Sequence, residues 1–337
     1  MRKKALLWKK DQKDTVLCGL CGHRCVIAPG DFGFCGMREN IRGELYTYAY
    51  GEVIANHADP IEKKPLYHFL PGSGAYSIAT IGCNFRCSFC QNWRISQLSV
   101  RNDQVDGYEL SPEEVVREAV KNRCSSIAYT YTEPTIFFEY AYDISKLSGE
   151  KGLRNIFITN GYMTPEAVAL IAPYLDAANV DLKFFSDKTY RKLCGAKLGP
   201  VLDSIAELHK NGIWVEVTTL VVPGENDSES DLRGIASFLA GVSRDIPWHV
   251  SRFHPDYKVM DKYPTMNETL LKAKEIGLSE GLKYVYIGNT AADNDTYCPG
   301  CGEKLIARGA FSGEAGPAFD PEGKCASCGE SIAGVWK

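Results

Sequence analysis

The sequence predicts an α/β fold, an open or partial (β/α) barrel, and three observations predict it. Between Tyr76 and Asn289, short runs rich in β-branched and aromatic residues alternate with segments that carry helix-start signals. The alternation repeats six or seven times, and it implies parallel strands joined by crossover helices. That number suits a partial barrel better than a flat doubly wound sheet. Polar and glycine-bearing motifs also stand where each strand ends, as in barrel enzymes whose sites lie on the C-terminal face.

The strand candidates, in order, are YSIAT, SIAYTY, NIFIT, ANVDL, WVEVTTLVV, HVSRF and YVYIG. Their ends carry Gly82-Cys83, Thr132-Glu133-Pro134, Thr159-Asn160-Gly161, Asp181 with Lys183, Pro223-Gly224-Glu225-Asn226, His254-Pro255 and Gly288-Asn289. Seven such motifs on one face predict a shared site. Among the helices, Ser111-Pro112-Glu113-Glu114 combines an N-cap, a proline at N1 and a capping-box glutamate at N3. Thr164-Pro165 opens a second helix, and NETLLKAKEIGLSEG closes another at Gly281.

Two flanks differ from this pattern. Residues 1–75 have little periodicity and many turn formers, and read as a loop-rich, Cys-rich metal-binding region. Residues 76–290 form the barrel, and residues 291–337 a C-terminal appendage. The stretch ADPIEKKPLYHFLPG, just before the barrel, reads as a solvated connecting loop, with a lid or partner-docking surface as the sharper alternative.

The 337 residues carry 45% apolar side chains, enough for a sizeable core. A formal net charge of -4 gives no support to a broad nucleic-acid surface. No window reaches the ~20 apolar residues of a membrane span, and the apolar run ALLW is too short for a signal peptide. The expectation is a cytoplasmic protein. There, thirteen cysteines point to metal or catalysis rather than disulfides. Eleven fall into three groups, and only Cys124, a small core residue, and Cys194, a quiet thiol, stand apart.

The middle group, Cys83, Cys87 and Cys90, follows the first strand in CNFRCSFC. Thiolates select zinc or iron–sulfur clusters, and structural zinc normally closes with four ligands. No nearby cysteine or histidine completes this trio. A [4Fe–4S] cube on three thiolates leaves one iron for a non-protein ligand. The amino and carboxylate groups of S-adenosylmethionine suit that place, bringing the sulfonium within reach of an electron.

CNFRCSFC, with Phe89 just before the last cysteine, resembles the signature of radical S-adenosylmethionine enzymes. In that family the reduced cluster cleaves the sulfonium into methionine and a 5′-deoxyadenosyl radical, which abstracts a hydrogen atom. GCNFRCSFCQNWRIS, YTYTEPT, ITNGYMTPE, NVDLKFF and LVVPGEND are similar to glycyl-radical-enzyme activases such as the pyruvate formate-lyase activating enzyme. DPIEKKPLYHFLPG, the N-terminal CGLCGHRC and the C-terminal cysteine pairs resemble the radical S-adenosylmethionine protein of the AmmeMemoRadiSam system, over nearly the whole chain.

The resemblance implies roles for single residues. Glu133, in a Thr-Glu-Pro that replaces the family's Gly-Gly-Glu, faces the methionine ammonium. Asp181 and Lys183 match the activases' Asp-Leu-Lys, the acid for ribose hydroxyls or a bound cation and the base for the methionine carboxylate. Asn160 shapes the cofactor pocket, while Ile158 stands where activases often carry an acid, which speaks against a monovalent cation there. His254 faces substrate or caps a strand. Implied partners are S-adenosylmethionine, a reducing donor such as flavodoxin or ferredoxin, and Memo-type and AMMECR-type proteins.

The outer groups read as metal sites. Cys298, Cys301, Cys325 and Cys328 form two CxxC pairs with 23 residues between them, a zinc ribbon, with an auxiliary iron–sulfur cluster as the rival. Cys18, Cys21, Cys25 and Cys35 suit structural zinc or a second [4Fe–4S] cluster, zinc being favoured, and His23 reads as a surface residue, with an alternative ligand as the second reading. Together these readings predict a radical enzyme acting on an unidentified small molecule or protein. The alternatives are a glycyl-radical activase and, from a different class, a non-catalytic zinc-binding interaction protein.

Overall fold

Seven parallel strands and one antiparallel edge strand make the central sheet of this computed structural model, which describes residues 2–103 and 107–337. In chain order they are β1 (Ala55–Pro60), β2 (Gly74–Ala79), β3 (Ser126–Tyr129), β4 (Arg154–Thr159), β5 (Ala177–Asp181), β6 (Trp214–Val221), β7 (Trp248–Arg252) and β8 (Val285–Gly288). Their spatial order is their chain order. Strand β1 runs antiparallel along β2 at one edge and β8 forms the other, so the sheet curls as a partial barrel without closing. All seven strands expected from the sequence are present. They read as near-continuous apolar runs because helices cover one face and the barrel interior fills the other.

Helices α1 (Pro112–Lys121), α2 (Phe138–Gly149), α3 (Pro165–Ile171), α4 (Asp187–Cys194), α5 (Gly199–Lys210), α6 (Glu229–Val242) and α7 (Asn267–Ser279) connect these strands on the outside. The start signals work as chemistry. Ser111 accepts from the Glu114 N–H while the Glu114 carboxylate accepts from the Ser111 N–H, so α1 opens with a full capping box. The Thr164 hydroxyl accepts from the Ala167 N–H at 3.2 Å at the start of α3. Such caps contribute ~1 kcal/mol each. The chain leaves α7 through Gly281 at φ +99°.

The region before the barrel is loop-rich, as the sequence reads. Between its loops it also holds two small antiparallel sheets that the sequence does not show. One joins Lys3–Lys4, Glu44–Thr47 and Arg38–Ile41, and the other joins Trp8–Lys10, Val16–Cys18 and Val26–Ile27. Strands of two to four residues are too short for alternation to show. Val16, Leu20, Ile27, Met37 and Leu45 pack into the core that the barrel helices share.

The stretch expected as a solvated loop is not one. It supplies the end of β1 and a single turn at Ile61–Lys63, and then buries Leu66, His68 and Phe69 completely. Glu216 of β6 anchors it, accepting from the backbone N–H groups of Tyr67 (3.0 Å) and His68 (2.7 Å). Leu70 and Val335 then continue the strap into the C-terminal tail, Leu70 N–H donating to Val335 O at 2.7 Å.

The tail contains a three-stranded sheet of Thr296–Tyr297, Lys304–Arg308 and Gly313–Ala315. Leu305, Ile306 and Ile332 pack on Tyr67 of the strap and on Tyr284 and Tyr286 at β8, covering the barrel's otherwise open edge. Among the described residues, no helix is long and apolar enough to cross a membrane.

Candidate active site

Every parallel strand contributes to one cleft of about 470 Å³ at the C-terminal end of the sheet. Cys83 follows β2, Thr132 and Glu133 follow β3, and Thr159 and Asn160 end β4. Asp181 and Lys183 come from β5, Thr218 and Leu220 from β6, Ser251 from β7 and Asn289 from just beyond β8. The shared site expected from the strand-end motifs is therefore real geometry. Its members differ in part from the expected set. Asn226, after β6, is buried behind the cleft as a brace, donating to Lys183 O at 2.6 Å and Leu220 O at 2.9 Å.

Cys83, Cys87 and Cys90 line this cleft on a loop fixed from outside. Gly82 turns the chain at φ +91°, where a Cβ would stand 2.8 Å from Met37 Cγ, so only glycine fits. The N–H groups of Arg86 and Ser88 donate to the carbonyls of Cys194 (2.8 Å) and Leu193 (2.9 Å) at the end of α4. The Arg86 guanidinium returns to Cys83 O at 2.7 Å. Donors also reach the sulfurs: Phe85 N–H lies 3.3 Å and Asn160 Nδ2 3.7 Å from Cys83 Sγ, and Cys90 Sγ meets Ser96 Oγ at 3.1 Å.

Burial pushes the Cys83 thiol well up and raises Cys90. The contact with Cys194 and then burial raise Cys87. A bound metal ionises a coordinating thiol outright, so a metal held at the trio would offset this rise. Cys194, expected as a quiet thiol, is buried directly against Cys87.

Glu133 is fully buried and holds the loops after β3 and β4 together. Its Oε1 accepts from Thr135 N–H (3.0 Å), the Thr135 hydroxyl and the Thr159 hydroxyl (2.7 Å), and its Oε2 accepts from Asn160 N–H (2.8 Å). Burial nonetheless raises its pKa. Asn160 donates to Asn84 Oδ1 at 2.7 Å, tying the end of β4 to the cysteine loop.

Lys183 Nζ lies 2.8 Å from Asp181 Oδ2, an ion pair inside the cleft. Burial works against the Lys183 charge, but the Asp181 carboxylate beside it outweighs burial and raises the lysine's pKa above its ordinary range. Phe89 lines the cleft with its ring edge-on to Phe184, 5.6 Å between centroids. His254 is exposed at the rim and meets Gln91, the residue after Cys90, at 2.9 Å.

Sequence reasoning missed the other side of the wall. Lys63 and Lys64 of the strap line the cleft, Lys64 buried and 2.7 Å from Asp59 Oδ2. Asp59 also accepts from Lys63 (2.8 Å), the Ser77 hydroxyl (3.0 Å) and the Tyr131 hydroxyl. The signal was present in the paired lysines of IEKKP, but nothing local says that the strap pairs with β2. Beyond Thr218, Ser251 and Asn289 the cleft continues into a second cavity of about 340 Å³, walled by Glu62, Tyr67, His249 and Arg308.

The C-terminal cysteines are arranged differently. Cys298, Cys301, Cys325 and Cys328 have all their sulfurs within 4.8 Å of one another, a group that could hold a metal ion. The two CxxC turns match. Cys298 N–H donates to Glu303 O (2.8 Å) and Gly302 N–H to Cys298 O (2.9 Å). Cys325 and Gly329 repeat both bonds at 2.9 and 2.8 Å. The trio is not so gathered, and its wider spacing fits a cube with an iron behind each sulfur rather than one shared ion.

The sequence comparisons decide the family. The Radical SAM superfamily model matches residues 77–235, which carry the trio and the strands from β2 to β6. The chain is also 45% identical over 333 residues, 98% of each protein, to the uncharacterized protein MJ0808 of Methanocaldococcus jannaschii.

This chain belongs to the radical SAM superfamily. Within it, the relation to activating enzymes is distant. The pyruvate formate-lyase-activating enzyme of Clostridium pasteurianum is 22% identical over 200 residues, covering 53% of this chain and 80% of that one. A radical SAM methyltransferase from Sphaerobacter thermophilus shares the fold at a TM-score of 0.52 and 17% identity, over 66% of this chain and 68% of that structure. Membership implies a [4Fe–4S] cluster and S-adenosylmethionine. The donor set fits both: three separated thiols for the cluster, and a carboxylate and an ammonium in the same cleft for a zwitterion.

Proposed function

We propose that this radical SAM protein cleaves S-adenosylmethionine at the trio and acts on a small polar substrate held between the barrel and the C-terminal appendage. The observation that carries the reading is the convergence of Cys83, Cys87, Cys90, Asn160, Asp181 and Lys183 in a single cleft. When bound, the cluster and cofactor supply reductive cleavage to methionine and a 5′-deoxyadenosyl radical. Lys183 holds the methionine carboxylate, Asp181 the ribose hydroxyls, and Glu133 Oε2, which has only one donor, the ammonium. Asn160 sets the orientation of the cysteine loop, and Phe89 backs the cluster and excludes water. His254 and Gln91 form the rim on the substrate side.

The 340 Å³ cavity supports a small substrate over a protein loop, because residues 308–311 of the appendage wall it and its buried side chains are charged. The C-terminal quartet we assign to structural zinc. Tetrahedral zinc–thiolate bonds of ~2.3 Å put sulfurs roughly 3.8 Å apart, and the observed pairs are 3.6 Å (Cys298–Cys328) and 3.7 Å (Cys301–Cys325). The sequence motifs further support the AmmeMemoRadiSam subgroup, with a flavodoxin or ferredoxin donor and Memo-type and AMMECR-type partners.

The deciding experiment is anaerobic incubation of reduced, reconstituted protein with S-adenosylmethionine and fractionated cell extract. Release of 5′-deoxyadenosine stimulated by the low-molecular-weight fraction supports this reading. Stimulation by the protein fraction alone would instead favour a glycyl-radical activase, and no release under any condition would remove the enzymatic assignment.

A further inference from the structure

We infer that Cys18, Cys21, Cys25 and Cys35 hold a second [4Fe–4S] cluster in electronic contact with the catalytic one. The sequence favours zinc here, and the geometry points the other way. All four cysteines line one small chamber with Arg38, His23 and the apolar side chains of Leu20, Phe34 and Ile136. Yet their sulfurs are not gathered within 4.8 Å as the C-terminal four are. A single zinc ion draws thiolates to roughly 3.8 Å, whereas a cube puts each thiolate outside its own iron, roughly 6 Å from the next. A cavity of about 20 Å³ lies against these residues, where one water needs ~10–15 Å³.

The local backbone agrees. In both C-terminal turns the glycine after the second cysteine takes a left-handed φ, +78° at Gly302 and +79° at Gly329. After Cys21, the left-handed residue is Arg24 (φ 46°), not Gly22, so CGLCG does not form that zinc-binding turn.

Donors instead point at the sulfurs, the arrangement that tunes cluster potentials. Phe34 N–H lies 3.4 Å from Cys25 Sγ and Arg38 Nη1 3.6 Å from Cys18 Sγ. Arg38 is 1% exposed, and its Nε has no partner. A buried cation with an unmet donor beside four thiols is suited to an anionic cluster rich in sulfur acceptors. Glu139 holds the same guanidinium from behind, so the cation cannot swing away.

The chamber adjoins the catalytic loop. Gly22 N–H donates to Tyr162 O at 2.9 Å, on the turn that carries Asn160. His23, two residues from Cys21, donates through Nε2 to Asn84 O at 2.7 Å, and Asn84 follows Cys83. A path of covalent bonds and one hydrogen bond therefore joins the two cysteine groups. One electron enters the N-terminal cluster from a low-potential one-electron donor, reducing one ferric iron to ferrous. It then passes to the trio's cluster, which reoxidises the first, and no proton moves. The relay rests on the catalytic reading of the trio; the second cluster does not.

The test is the Cys83→Ala/Cys87→Ala/Cys90→Ala triple variant, reconstituted anaerobically beside wild type. The expected iron content falls from about eight to about four per chain, with equal sulfide and one cysteine-ligated [4Fe–4S] Mössbauer signature left. Adding Cys18→Ala and Cys21→Ala removes it. Wild type with about four irons and about two zinc ions overturns the second cluster even if the variants fail to fold, and so does a folded triple variant without iron. Should wild type and triple variant both hold about four irons, the second cluster stands and the catalytic reading fails. In doubly reduced wild type, the paramagnetic resonance spectrum should be broadened by spin–spin coupling. A spectrum equal to the sum of the separate clusters would overturn the relay.

Discussion

The C-terminal quartet and the catalytic trio solve opposite problems with the same side chain. Cys298, Cys301, Cys325 and Cys328 close on one another through two matching turns, each with its own glycine and its own pair of backbone hydrogen bonds. Cys83, Cys87 and Cys90 are held apart, and most of what holds them is distant in sequence: the carbonyls of Leu193 and Cys194 and the Asn160 amide, with only the Ser96 hydroxyl close by. A closed site can be assembled from local turns and contributes folding energy. An open site must be propped by the rest of the fold, because nothing within it resists collapse. The strand ends of the barrel are that prop.

Breaking the open site should have the largest effect. Cys83→Ala, Cys87→Ala or Cys90→Ala leaves two protein thiolates for a cube, and each variant should lose cofactor cleavage to background. Its fold should survive, because the loop's backbone bonds to α4 do not involve the sulfurs. Absorbance of the reconstituted cluster and 5′-deoxyadenosine release measure this together, and full cleavage in any single variant would refute the assignment.

Breaking the closed site should do the reverse. Replacing Cys298 and Cys301 with serine leaves two thiolates for the zinc proposed there, whose binding in small zinc domains is worth ~10–16 kcal/mol and is coupled to folding. The tail then loosens from Tyr67, Tyr284 and Tyr286, and melting temperature and soluble yield should drop. Iron at the trio should remain near wild type. Zinc analysis of wild type after iron chelation checks the assignment, and iron found at this quartet would make it an auxiliary cluster instead.

Local sites were legible in the sequence and propped ones were only partly so. The C-terminal CxxC pairs, the capping box at Ser111 and all seven parallel strands are short-range patterns, and each is found where it was expected. Edge strand β1 was not legible, since ANHADP has no clean alternation and its partner lies in β2. Lys64 could not be placed in the cleft for the same reason. Glu133 was recognised as a site carboxylate, but its three donors at Oε1 come from Thr135 and Thr159, and only the fold brings Thr159 there. Phe89 was legible because it sits inside the motif; the Cys194 contact with Cys87 was not, because α4 is a hundred residues away.

The seam between strap and tail gives a third, smaller effect that depends on pH. His68 is fully buried, with Nδ1 2.8 Å from Ala333 O and Nε2 2.6 Å from the Tyr286 hydroxyl. Burial lowers its pKa from 6.5 to about 4; Glu216 opposes this, while Arg308 and His249 add to it. The unfolded chain binds this proton more readily, so His68's contribution is complete above pH 6.5 and is lost as pH falls through about 4. Its size is about 3 kcal/mol. Urea unfolding of wild type and His68→Gln between pH 7.5 and 4 should show this slope in wild type only; parallel slopes would mean that His68 does not titrate with unfolding.

The smallest effect sharpens what the open site is for. If the cleft receives the methionine end of S-adenosylmethionine, Lys183 loses its solvent and gains a carboxylate, a charge-assisted contact worth about 1.5–3 kcal/mol. Lys183→Met keeps the length of the side chain and removes the charge, so affinity should fall roughly 10- to 150-fold. Iron and sulfide should stay near wild type, because Lys183 donates no hydrogen bond to the cysteine loop among the described contacts. Glu133→Gln is the contrasting variant. It keeps shape but weakens four accepted bonds that tie the β3 and β4 ends together, so it should cost stability and cluster content along with affinity. Titrating the reduced cluster's paramagnetic resonance signal with S-adenosylmethionine reads both. A Lys183→Met signal that shifts at the wild-type cofactor concentration would show that the carboxylate is held elsewhere, and Lys63 and Lys64 on the facing strap are the cations that line the same cleft.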